Sequence, residues 1–235
     1  MLLFVAADPR ELAGLLNCCR DIAKPMPKTG LTVHWARTGM LNGRKMMAIT
    51  NGAGAERAAR AVDAGLRAGA VRTVCSTGFC GALDDSLGIG DIFAATSVRS
   101  RGLEFQALKP IARARYTAGI LASIDHVAGT ALEKRQLRQT SAMAVEMEAG
   151  GVAAKAAELG LPFYCIRAVS DLGNETFRCD FNAALREDGR FDTMRLFASA
   201  MRQPLSRVPE LLRLQRRCAT ASKNLGAFLA GCEFE

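Results

Sequence analysis

Aromatic side chains are scarce in this chain, 6% of positions with a single Trp, and histidine occurs only as His34 and His126. Neither histidine stands in an H-E-x-x-H or comparable ligand spacing, so a histidine-centred triad and histidine-bound metal have no sequence support. Eight cysteines are present, yet no C-x-x-C pair occurs, and Cys18 and Cys19 are adjacent. Structural zinc is not expected, and Cys75 and Cys165, inside apolar runs, read as small buried hydrophobes of a reduced compartment. A phosphate loop of the form G-x-x-x-x-G-K-[ST] is also missing. Gly52-Ala53-Gly54 lacks the third glycine of a dinucleotide motif, Arg57 standing in its place, which disfavours a nicotinamide oxidoreductase and leaves a tight turn before a helix. Neither metal nor cofactor is expected. The apolar run at residues 2–7 is too short for a signal peptide or a membrane span, so a cytoplasmic protein is expected.

What the chain does have is 49% apolar and 23% charged positions in 235 residues, enough for one α/β domain with a substantial core. Its net charge of +8 is unevenly placed: residues 195–223 hold seven Lys or Arg against one acid, Glu210. Because the few aromatics do not interleave with the basic residues, nucleic acid is not the expected partner. In the same tail Leu205, Val208, Leu212, Ala219, Leu225 and Leu229 approximate one helical stripe, with Arg213, Arg216, Arg217, Lys223 and Asn224 largely elsewhere. Such a segment either rests on an anionic bilayer or covers the sheet with a solvated basic face, and a basic module without catalysis is the rival reading.

Apolar and β-branched runs predict strands at residues 2–6, 32–36, 45–50, 71–76, 91–98, 119–123, 142–145 and 163–169, with Asn42-Gly43 turning a hairpin. Helices are expected from Asp8-Pro9, from residue 55 to about Gly69, over 132–137, and from Glu146 to near Leu159. Thr77 to Gly81 reads as a glycine-bearing loop. The alternation implies a single α/β domain with a mainly parallel mixed sheet flanked by helices. Residues 1–190 are expected to form the body of this domain, the part that would be catalytic, and 191–235 a basic amphipathic helical extension of it. Ligands of such sheets gather at the carboxyl ends of the strands, where Glu11, Glu148 and Asp171 all fall. Each alone would be a cap or a surface charge; meeting in one pocket, they permit acid and base chemistry without histidine.

Thr77-Gly78-Phe79-Cys80-Gly81-Ala82, Gly90-Asp91-Ile92, Val145-Glu146-Met147-Glu148-Ala149 and Arg167-Ala168-Val169-Ser170-Asp171 resemble, in order and spacing, the successive motifs of the nucleoside phosphorylase superfamily. Within it the chain is similar to methylthioadenosine and adenosylhomocysteine nucleosidases. Ser123-x-Asp125-x-Val127, Thr130-x-x-Glu133-Lys134 and Asp180-Phe181-Asn182-x-Ala184-Leu185 resemble the hopanoid-associated phosphorylase branch most.

The resemblance implies cleavage of an N-glycosidic bond through a sugar cation, in a homodimer or larger homo-oligomer. By motif position Asp171, oriented by Ser170, would protonate the purine at N7, which requires a carboxyl that holds a proton near neutrality. Glu148 would grip the ribose hydroxyls, with Glu146 and Met147 beside it as substrate contacts, and Glu11 would activate water. Backbone at Phe79, Cys80 and Gly81 would wall the base and sugar, and Val127 stands near the position where the thioadenosine enzymes present a stacking aromatic. Ser76 occupies the place of a phosphorylase arginine, which favours water over phosphate, while Arg10 in Asp8-Pro9-Arg10 keeps phosphorolysis open. The expected substrate is a small-molecule or lipid nucleoside, adenosylhopane first, with peripheral membrane contact through the C-terminal helix. The alternatives are methylthioadenosine or adenosylhomocysteine, or a phosphorylase.

Overall fold

Five consecutive apolar residues with no polar face belong at the centre of a sheet covered on both sides, and Leu2–Ala6 forms such a strand, β1, every residue buried. The computed structural model describes residues 1–25 and 32–234. After β1 the chain runs through α1 (Pro9–Asn17), β2 (Arg20–Ala23), β3 (Trp35–Leu41), β4 (Arg44–Thr50), α2 (Ala55–Ala68), β5 (Thr73–Ala82), β6 (Ile92–Ser100), β7 (Leu103–Gln106) and β8 (Ile111–Ala112). It continues through β9 (Thr117–Ser123), α3 (Ala131–Gln139), β10 (Ala142–Glu146), α4 (Ala149–Glu158), β11 (Phe163–Asp171), α5 (Phe181–Ala184), α6 (Thr193–Met201), α7 (Pro204–Ala230) and β12 (Cys232–Glu233).

The main sheet has the order β10-β9-β6-β11-β5-β1-β4-β3-β2, with β7 beside β6 and a further pairing that returns β10 to β5. The sheet is mixed, as expected. β4–β1–β5–β11 and β6–β9–β10 are parallel, whereas β6–β11, β5–β10, the ribbon β2–β3–β4 and the pair β6–β7 are antiparallel. One apolar cluster fills the face covered by α2 and α4, a second the face covered by α1 and the end of α7.

Three expectations need correction. Thr77 to Gly81 is no loop: β5 runs unbroken to Ala82, because hydrogen bonding to β11 and β10 on its two sides overrides the turn preference of glycine. β3 begins at Trp35 rather than residue 32, and β2, whose side chains are all exposed, carries no burial pattern to announce it. The tail stripe is divided between two environments. Leu225 and Leu229 are buried in the core with Ala221 and Phe228, while Leu205 and Leu212 stay exposed.

The buried half of α7 crosses α1 with backbone touching backbone. A Cβ added at Gly14 would lie 1.9 Å from the Ser222 carbonyl oxygen, and one at Gly226 would lie 2.0 Å from the Gly14 carbonyl carbon. Ser222 Oγ donates to the Arg10 carbonyl (2.8 Å) and accepts from Gly14 N–H (3.1 Å). Through these contacts α7 fixes the helix that carries Glu11.

Candidate active site

β5 is the axis of the site. At its carboxyl end Gly81 is paired with Val145 of β10 on one side and with Asp171 of β11 on the other. The residues following Val145 and the end of β11 are thereby brought to the same edge. From the other face of the sheet Glu11 reaches the strand, its Oε1 accepting from Phe79 N–H at 2.9 Å. Glu11 thus borders Gly78 and Phe79, Asp171 borders Gly81, and Glu148 follows the end of β10 that pairs with Gly81.

Glu11 sits at the third position of α1, where its carboxylate closes a capping box with Asp8, the N-cap. Its Oε2 accepts from Ala7 N–H (2.9 Å) and Asp8 N–H (3.0 Å), and Asp8 in turn accepts from Arg10 N–H. Burial pushes the carboxyl above its ordinary value, against the opposing effects of the Phe79 N–H, the Arg167 charge and the Asp8 N–H.

Glu148 precedes α4, and its Oε1 accepts from Gly54 N–H at 3.1 Å. Burial, reinforced by the charge of Glu146, raises it well above the usual glutamate range despite Arg167. Glu146, expected among the substrate contacts, is instead committed to the protein. Its oxygens accept from Glu148 N–H (2.9 Å) and Ala149 N–H (2.9 and 3.0 Å) and pair with Arg167. These bonds make it the orienting group of the α4 N-terminus. Met147, between the two glutamates, is buried.

Arg167 is the residue that sequence reading left without a role. Its only outward signal was a guanidinium inside the apolar run of β11. It is fully buried and donates through Nη2 to Ser76 Oγ at 2.7 Å. Burial opposes its charge, but Glu146, Glu148 and Glu11 outweigh that and hold the guanidinium above its ordinary value. Its Nη1 and Nε have no hydrogen-bond partner among the described residues. Nη1 and Glu11 Oε1 converge on one point: a Cβ at Gly78 would lie 2.8 Å from the first and 2.6 Å from the second. Gly78, at φ 142°, lets both groups pack against its backbone by having no side chain.

Asp171 lies against a second cation that sequence reading did not place in the site. Lys134 is the one buried residue of the polar helix α3, and its Nζ pairs with Asp171 Oδ2 and donates to the Leu172 carbonyl at 2.8 Å. Ser170 Oγ stands 2.7 Å from Asp171 Oδ1 and 3.2 Å from the Cys80 carbonyl oxygen, so it orients the carboxyl from β5. Cys80 is itself buried, which drives its thiol well above its usual range. Val127 lies in the loop before α3, exchanging hydrogen bonds with the Asn182 side chain at 2.8 and 2.9 Å, and no hydrogen bond joins it to the carboxylates.

A cleft of about 510 Å³ opens beside the cluster, lined in part by Ala53, Gly54, Arg57, Ser123, Asp125 and His126. It meets the carboxylates at Gly54, the donor to Glu148, whereas Glu11 and Asp171 do not line it. His126 links Asp125 (2.7 Å) and Glu133, and both carboxylates raise its pKa.

A mixed sheet that returns on itself at β5, with helices on both faces and buried carboxylates beyond its strand ends, defines the α/β architecture of the molecule. The profile of the Phosphorylase superfamily matches residues 2–128 and 105–194, and the chain belongs to that superfamily. It is 28% identical over 179 residues to a 5′-methylthioadenosine/S-adenosylhomocysteine nucleosidase of Staphylococcus aureus (strain JH9), a match covering 64% of this chain and 78% of that protein. Among solved structures it resembles the 5′-methylthioadenosine/S-adenosylhomocysteine nucleosidase of Neisseria meningitidis in complex with methylthio-immucillin-A. That match has a TM-score of 0.70 and 20% identity, over 98% of this chain and 96% of the other. It resembles equally the futalosine hydrolase of Helicobacter pylori strain 26695, with a TM-score of 0.70 and 15% identity, over 97% and 94% of the two chains.

Proposed function

We propose that the chain is a nucleosidase that releases adenine from a 5′-substituted adenosine by hydrolysis. The observation that carries this reading is the meeting of Glu11, Glu148 and Asp171 around β5, with one buried guanidinium among them. In this reading Glu148 accepts hydrogen bonds from the ribose hydroxyls, and its negative charge favours the cation that grows on the sugar. Met147 packs against the ribose, while the backbone of Phe79, Cys80 and Gly81 walls the base, with Val127 on the purine side.

Glu11 takes a proton from the attacking water, with the Arg167 guanidinium beside the carboxylate. The glycosidic C–N bond breaks as the water oxygen bonds to the anomeric carbon, and the electron pair goes to the purine. Asp171 delivers the proton that lets adenine leave neutral. Lys134 Nζ, paired with Asp171 Oδ2, and Ser170 Oγ, 2.7 Å from Oδ1, hold that carboxyl in place.

Water is favoured over phosphate because an incoming anion would meet Glu11 directly. Arg10, the residue that kept phosphorolysis open, is engaged by Asp8 through Nε (2.8 Å) and Nη2 (3.1 Å) on the exposed surface. Among substrates, adenosylhopane is the finer assignment, supported by the open cleft beside the ribose grip and by the apolar helix face near it. Methylthioadenosine or adenosylhomocysteine is the second reading, favoured by the sequence relative. Incubating the pure protein with each nucleoside, with and without phosphate, and identifying the sugar product tests all of these. Free ribosyl product and adenine are expected; ribose 1-phosphate would overturn hydrolysis, and no adenine from any of the three would overturn the nucleosidase.

A further inference from the structure

Met194, Phe197 and Met201 of α6 are 75%, 59% and 53% exposed, and Leu205, in the first turn of α7, is 96% exposed. The three on α6 follow the spacing i, i+3, i+7 and share one helix face. Scattered exposed apolar residues are ordinary; a row of four large ones is a contact surface. Arg195 and Arg202 flank the row, and Arg207, Arg213 and Arg216 follow it. The one acid of residues 193–223, Glu210, is buried and accepts from the N–H groups of Arg178 and Cys179. Asp192, the N-cap of α6, pairs with Arg195 at 3.6 Å, so the face is apolar along its crest and net positive at its borders.

We propose that this α6–α7 face docks on an anionic phospholipid bilayer, the apolar side chains entering between headgroups and the arginines reaching the phosphates. Charge complementarity selects that occupant, because borders with a net positive charge fit an anionic surface and repel a second copy of the same face. The contact is peripheral, since no described helix is long and apolar enough to cross a membrane. Its place in the fold gives it a use. Phe191, two residues before α6, packs edge-on against Phe181 and that ring against Phe177, which lies under Lys134 Nζ. Upstream, Glu187 lines the cleft and the Gly189 carbonyl accepts from Ala53 N–H. A docked α6 therefore holds the cleft beside the lipid, where a nucleoside with a hydrocarbon 5′ arm would reside.

Docking is read without turnover, so its failure is distinct from failure of the nucleosidase reading. The test is cosedimentation of the full chain with vesicles of phosphatidylglycerol mixed into phosphatidylcholine, against phosphatidylcholine alone. Binding to the anionic vesicles that weakens with salt is expected. The pair Phe197→Ser with Leu205→Ser, and separately Arg195→Gln with Arg202→Gln, should each lower that affinity about tenfold or more, with an unchanged melting temperature. Absence of binding by the parent chain, or binding unaltered in both variants, would overturn the proposal. So would loss of self-association in the serine variant, by sedimentation equilibrium, without loss of vesicle binding.

Discussion

Glu11 has to be ionised to accept a proton, and burial raises its pKa, so its competence as a base is lost earlier on acidification than for an ordinary glutamate. The rate on a soluble adenosine should accordingly climb with pH through a limb lying above the usual carboxylate range, with Glu148 contributing to the same limb. Glu11→Gln removes the base and should cost about 10²–10⁴ in kcat, which steady-state assays across pH would measure. Lys134 belongs to this scale as well. Lys134→Met leaves Asp171 buried without its cation, a change worth about 3–5 kcal/mol of stability, readable from chemical denaturation. If Lys134 positions Asp171 as the acid, kcat on adenosines should fall about a hundredfold or more, while a p-nitrophenyl riboside, whose leaving group needs no proton, is spared. A purely structural lysine would depress both substrates alike.

Between elements, the decisive contact is the crossing of α1 and α7. Gly14→Ala and Gly226→Ala each place a methyl group within 2.0 Å of the opposing backbone, so the helices must separate rather than merely repack. A loss of about 1–3 kcal/mol or more is expected, with a lowered melting temperature, and activity should fall with it because the displaced helix carries Glu11. This crossing was invisible in the sequence: nothing local to Gly14 announces a partner more than two hundred residues away. The cap at Asp8-Pro9-Arg10-Glu11, the hairpin at Asn42-Gly43 and the buried runs of β1, β5 and β11 were legible because their signals are contained in a few neighbouring residues. Thr77 to Gly81 misled for the converse reason, since Gly78 serves a close approach of Glu11 and Arg167, and Gly81 one of Asp171, not a turn. The three carboxylates were legible as strand-end residues. Lys134 was not, because a single lysine on a polar helix looks the same whether it points to solvent or to Asp171.

For the whole molecule the cluster works against the fold that holds it. Glu11, Glu146 and Glu148 are all buried around one guanidinium, and both Glu11 and Glu148 have their pKa raised by that burial. A carboxyl whose folded pKa is raised binds its proton more tightly in the native state than in the unfolded chain. Stability therefore declines as pH rises from the ordinary glutamate value through the raised one, where the native state must carry the charge in a dry site. Glu148→Gln keeps an oxygen for the Gly54 N–H and removes that charge. The variant should consequently melt at a higher temperature than the parent at neutral pH, with the difference closing on acidification as the parent glutamate takes up its proton. Turnover should drop in the same variant, because a neutral amide neither offsets the sugar cation nor accepts as strongly from two hydroxyls. Calorimetric scans at several pH values, set beside rates on one adenosine, measure both sides of this trade. A Glu148→Gln protein that is less stable than its parent across the whole range would instead mean that Arg167 more than repays the burial of that carboxylate.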